Sequence, residues 1–119
     1  MQFMLMINED ESAYAGEGGA ALLEATLAGH MKLAEDLVAA GIPFSGERLK
    51  PAATATTIRW ENGKESLHDG PFAETHEELG GFYIIDVASL DEALEWARRI
   101  PVPKGGIEVR PVWPMGADA

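Results

Sequence analysis

Two short segments, Phe3-Met4-Leu5-Met6-Ile7 and Phe82-Tyr83-Ile84-Ile85-Asp86-Val87, are apolar at nearly every position, Asp86 being the exception. A strand with one wet face alternates apolar and polar residues, so a continuous apolar run marks a strand covered on both faces. These two segments are therefore expected at the centre of a sheet. Everything else in the chain has to cover them.

The cover on one face is legible. From Ala20 to Ala40 the pattern is helical: at 100° per residue Leu23, Leu27, Met31, Leu33, Ala34, Leu37 and Val38 share a side, and Glu24, Lys32, Glu35 and Asp36 fall opposite. Gly41 stops this helix and Pro43 follows. Ser89-Leu90-Asp91-Glu92 has capping-box spacing and opens a second helix, with Leu90, Ala93, Leu94 and Ala97 on one face and Pro101 as its terminator. Thr54 to Trp60 reads as a strand, Asn62-Gly63 as a hairpin turn, Glu65 to His68 as a short return arm, and Ile107 to Val112 as a last strand.

The resulting order is βαββαβ with an added hairpin arm. Right-handed crossovers place both helices on one face of an antiparallel sheet, with the two doubly apolar strands in the middle. The other face is left uncovered, and a second copy packed sheet to sheet in a two-fold homodimer is the economical cover. The expectation is one α+β domain over residues 1–119, with no internal repeat or linker.

Charge and composition restrict function. Nine basic residues against 20 acidic ones give −11, a balance that repels phosphate backbones and anionic lipid, so neither nucleic acid nor a membrane surface is expected as a partner. There is no cysteine, hence no disulfide framework, thiol nucleophile or thiolate metal site. No run approaches the roughly 18 apolar residues of a membrane helix. A cytoplasmic protein is expected.

Several residues bear chemistry. His30 lies on the apolar stripe of the first helix, where a hydrogen-bonded structural histidine competes with an acid–base group. Asp69-Gly70-Pro71 is a turn by composition, and it could also hold the Asp69 carboxylate at the mouth of a cleft. A His30–Asp69 dyad is the candidate catalytic pair. Arg48 and Arg110 are candidate clamps for a carboxylate ligand, against the simpler reading of ion pairs with acids such as Glu47 or Glu108. His68 is a further ligand-binding candidate, although as neighbours on an extended arm His68 and Asp69 face opposite ways. Together with His76 and Glu77 they match no standard metal spacing, so no metal and no cofactor is expected. Trp60, Trp96 and Trp113 read as packing or interface residues, and Phe72 as packing.

The runs Asp69-Gly70-Pro71-Phe72-Ala73-Glu74-Thr75, Leu79-Gly80-Gly81-Phe82-Tyr83, Ser89-Leu90-Asp91-Glu92-Ala93 and Glu108-Val109-Arg110-Pro111-Val112 resemble the DGPF branch of the YCII-related proteins. Gly46-Glu47-Arg48-Leu49 and Ala53-Thr54-Ala55-Thr56-Thr57 are similar to that branch as well. The resemblance implies a ferredoxin-like fold assembled as a dimeric α+β barrel, and a His and an Asp lining a cleft, with His30 in the place of the histidine and Asp69 in that of the DGPF aspartate. It also implies a small-molecule ligand or, alternatively, a non-catalytic regulatory module linked to extracytoplasmic-function sigma factors. His68 and His76 depart from the branch, which has a small hydroxyl residue and a lysine there.

Overall fold

A computed structural model describes residues 1–116. Its strands are β1 (Gln2–Glu9), β2 (Phe44–Arg48), β3 (Thr56–Glu61), β4 (Lys64–Asp69), β5 (Glu78–Asp86) and β6 (Gly105–Pro111). Its helices are α1 (Gly19–Ala39) and α2 (Leu90–Ala97), and a 3-10 turn spans Glu11–Tyr14. The main sheet has the order β2-β5-β1-β6, antiparallel throughout, while β3 and β4 pair only with each other. This is an α+β, ferredoxin-like architecture with a hairpin arm.

The two doubly apolar strands, β1 and β5, are the central pair. Register sets Phe3 opposite Ile85, Leu5 opposite Tyr83 and Ile7 opposite Gly81, all on the helix side. Phe3, Leu5, Ile7 and Ile85 are buried there with Leu33 and Leu37 of α1 and Ala93 and Ala97 of α2, so both helices cover the same face. On the opposite face Met4, Met6, Phe82 and Ile84 are half-buried, and neither helix lies above them. The apolar stripe of α1 is narrower than its periodicity suggests. Leu33 and Leu37 are buried and Leu23, Leu27 and Ala34 half-buried, whereas Met31 and Val38 are 70% exposed.

The local stop and start signals act as their chemistry requires. Gly41 takes φ 71°, and the amides of Gly41 and Ile42 donate to the Val38 and Leu37 carbonyls at 3.0 Å each, closing α1 with a Schellman motif. Ser89 Oγ accepts from the Glu92 amide at 3.2 Å, and the Glu92 carboxylate reaches back to the Ala88 amide, one residue earlier than a standard capping box. Asn62 and Gly63 take φ 51° and 76°, the left-handed pair that a tight hairpin needs.

One strand departs from expectation. The second strand of the main sheet is Phe44–Arg48, not the Thr-rich segment beginning at Thr54, which turns away as an arm after a 3-10 turn at Ala52–Thr54. Phe44-Ser45-Gly46-Glu47-Arg48 has no apolar alternation, so its extended state comes from pairing with β5, Phe44 against Ile85 through Arg48 against Gly81.

Candidate functional site

A cleft of about 310 Å³ opens between α1 and the β2–β5 edge of the sheet. Glycines make the room. Between Ile7–Gly81 and Asn8–Leu79 the register of β1 and β5 slips, leaving Gly80 as a bulge on which the Glu9 carboxylate rests. Across the edge, Gly46 faces Tyr83 and Gly81 faces Arg48, so neither long side chain meets another at its partner position. The apolar walls are Ile7, Phe44 and the α1 residues Leu23, Leu27 and Ala34.

At the centre, His30 Nδ1 lies 2.6 Å from Tyr83 Oη, with the rings nearly parallel at 16° and their centroids 5.8 Å apart. Burial depresses the His30 pKa below its ordinary 6.5; a hydrogen bond to the Pro101 carbonyl opposes this, and the positive field of Arg48 adds to it. Burial pushes the Tyr83 phenol above its usual range. The pair is therefore neutral at neutral pH. Tyr83 Oη can donate to Nδ1, so we assign the ring proton to the other nitrogen, Nε2. Nδ1 is then a lone-pair acceptor, and Tyr83 donates to it.

The rim is built by the turn after β1. Asp10 Oδ1 accepts from the Ser12 amide at 2.9 Å, and Lys104 Nζ lies 3.2 Å from the same carboxylate. The Ser12 hydrogen bonds, with help from Lys104, pull Asp10 down to about 2. This anchored turn delivers Tyr14, whose hydroxyl donates to Glu9 Oε2 at 3.3 Å and whose pKa burial raises. Arg48 is the one cation among the lining residues, and it makes no ion pair within 4.0 Å among the described residues.

This geometry can be set beside known proteins. Residues 1–116 match the model of the YCII-related domain. The chain belongs to the YCII-related family. It is also 52% identical over 68 residues to an uncharacterized protein of Rhizobium meliloti (strain 1021), a match covering 55% of this chain and 55% of that relative's length.

In this YCII-related chain His30 and Arg48 share the cleft, and Asp69 does not. Asp69 ends β4 on the arm, exposed, opposite Thr56. Within one chain the two do not meet: the arm forms its own two-stranded sheet and carries the carboxylate away from α1. The turn chemistry of the segment is evident. Gly70 takes φ 135°, its amide donates to the Ala55 carbonyl at 2.8 Å, and its carbonyl accepts from Thr57 Oγ1 at 2.7 Å.

His68 is exposed on the other side of the arm, opposite Thr57. Arg110 sits beside Met4 on the uncovered face of the sheet, ion-paired with Glu108, so it takes the simpler of its two readings and lies away from the cleft. Phe72 is 69% exposed, not packed in the core, with the Arg59 guanidinium 4.2 Å over its ring. Among the described residues no three His, Asp or Glu groups converge as a metal site would require.

Sequence reasoning missed Tyr83, Tyr14 and Glu9. Tyr83 left a signal: a phenol in an otherwise apolar run of a central strand needs a hydrogen-bond partner, and parity with Ile85 turns it toward the helix that bears His30.

The burial of His30 has a pH consequence. The folded pKa is lower than the unfolded one, so the unfolded chain binds more protons once pH falls below about 6.5, and stability falls with it. The contribution of neutral His30 is complete above the unfolded pKa and is lost as pH drops through the folded one. In urea titrations at pH 7 and pH 5, wild type is expected to lose more stability than His30→Gln. Equal losses would contradict a desolvated imidazole.

Proposed function

We propose that this YCII-related chain is a cytoplasmic homodimer that binds a small molecule in the cleft between α1 and the sheet and performs acid–base chemistry there through His30. The observation that carries this is the 2.6 Å contact of a neutral, half-buried imidazole with Tyr83 inside a cleft of about 310 Å³. Proton transfer needs a base whose lone pair is available near neutral pH, and His30 fits it. Tyr83 would take a proton from the ligand while passing its own to Nδ1. The imidazolium so formed carries a proton on each ring nitrogen. A His30–Asp69 pair, in keeping with the DGPF resemblance, would have to be made with the arm of the second copy.

A thermal-shift screen of metabolites on wild type and His30→Ala tests the site. Specific binders are expected to raise the wild-type melting temperature and leave the variant unmoved, since a ligand at 100-fold its Kd stabilises by about 2.7 kcal/mol. Hits that shift both proteins equally would remove His30 from the site.

Support for the homodimer comes from the half-buried row Met4, Met6, Phe82 and Ile84 on a sheet whose helices are all on the other side. By light scattering, wild type is expected at twice the 12.8 kDa chain mass and Ile84→Glu at the chain mass itself. A monomeric wild type at micromolar concentration would discard the assembly.

The hairpin arm favours a second reading, a regulatory module that docks a protein partner in extracytoplasmic-function sigma factor signalling. Trp60, Leu67 and Phe72 are each 68–69% exposed there, and Ile58 is 46% exposed. A metabolite screen with no hits, together with loss of partner binding in Trp60→Ala, would favour it.

A further inference from the structure

We propose that the ligand of this cleft is a compact carboxylate: its anionic group pairs with Arg48 while an acidic C–H or O–H at its far end lies against Tyr83 and His30. The inference rests on the cleft being a small-molecule site and adds the chemical class that the site selects.

The strand register carries the first part. On the helix side of β2 the order is Phe44, Gly46, Arg48, and on β5 it is Ile85, Tyr83, Gly81, row against row. An aromatic row, a row pairing Tyr83 with glycine, and a row pairing Arg48 with glycine therefore follow one another. Each glycine omits the side chain that would otherwise fill the floor beside its long partner. Rows two residues apart on a strand are separated by about 7 Å. That is the length of a benzoate-sized acid, with a cation at one end of the span and the Tyr83–His30 pair at the other.

The charges carry the second part. Arg48 has no ion pair within 4.0 Å among the described residues, in a chain where 20 acids compete for nine bases. The two acids of the lining do not neutralise it. Glu9 rests on Gly80 and accepts from Tyr14, and Glu47 by register shares the opposite face of the sheet with Phe82. A guanidinium fork that no carboxylate of the described residues fills is suited to a ligand's carboxylate, which it can hold by two parallel hydrogen bonds. Its field also reaches His30, helping to keep the imidazole neutral as a base requires.

The walls set the rest of the ligand. Leu23, Leu27, Ile7 and Phe44 offer nothing to a second charge, so the body between the two ends is apolar or aromatic.

Calorimetric or NMR titration with 4-hydroxybenzoate and its neutral isostere 4-hydroxybenzamide tests this. Wild type is expected to bind the acid at least tenfold more tightly than the amide. Arg48→Gln, at an exposed edge position where the melting temperature is expected to stay in place, is expected to lose at least tenfold for the acid and nothing for the amide. Equal binding of acid and amide, an acid affinity retained in Arg48→Gln, or no binding of the acid to wild type would each overturn the assignment. His30-dependent hits in the metabolite screen that are neutral and indifferent to Arg48→Gln would sink the carboxylate while leaving the acid–base site standing. No His30-dependent binder of any kind sinks both.

Discussion

Phe3→Ala is expected to lower the unfolding free energy by about 3–5 kcal/mol, the range for truncating a buried aromatic side chain. Phe3 is 1% exposed and occupies the helix side of β1, between Ile85 on β5 and Pro111 on β6, so no neighbouring strand can move in without breaking its own pairing. The cavity therefore stays largely open. Against a total of about 5–15 kcal/mol for a domain, the loss leaves a marginal fold. Urea unfolding at one protein concentration reads it as a lower midpoint with an unchanged slope. A loss below about 1.5 kcal/mol would show that the helices collapse onto the gap and that the core is more plastic than its burial implies.

Gly81→Val should combine a structural and a functional effect. A Cβ at Gly81 would lie 2.8 Å from the Glu47 carbonyl oxygen and 3.5 Å from Arg48 Cα. Both are backbone atoms of the paired strand and cannot rotate aside. β2 must therefore shift away from β5 at the Arg48–Gly81 pair. Overpacking of this kind costs about 1–3 kcal/mol, and it displaces the cation of the cleft as well. The expected result is a lower melting temperature together with at least a tenfold loss of cleft-ligand affinity. Gly106→Ala is the control: a Cβ there meets nothing within 4 Å, and its effect should stay within about 0.5 kcal/mol. A Gly81→Val protein with wild-type stability and binding would mean that β2 is not held against β5 as described.

Much of the architecture could be read from short stretches of chain. The two apolar runs mark the central strands because burial on both faces leaves no room for alternation, and Gly41, Ser89 and Asn62-Gly63 mark boundaries because each answers a backbone need within a few residues. The edge strand β2 escaped that reading, since its Gly46, Glu47 and Arg48 hold no strand pattern and only β5 keeps them extended. The site was half legible. His30 stood out as an imidazole on an apolar stripe and Arg48 as a cation beside a strand, whereas Asp69 was drawn toward His30 by the resemblance and by turn chemistry, which place no residue in space.

What the sequence determined by itself is the set of elements apart from β2, the central strand pair and the helix-covered face, because periodicities of 2 and 3.6, caps and turns are local properties of neighbouring residues. What only the tertiary structure decided is which groups meet. Tyr83 reaches His30 across 53 positions, Arg48 faces a glycine instead of an acid, and the hairpin carries Asp69 away from the cleft. These outcomes depend on strand register and on the placement of the arm, and a slip of one residue would turn Tyr83 and Arg48 to the other face of the sheet.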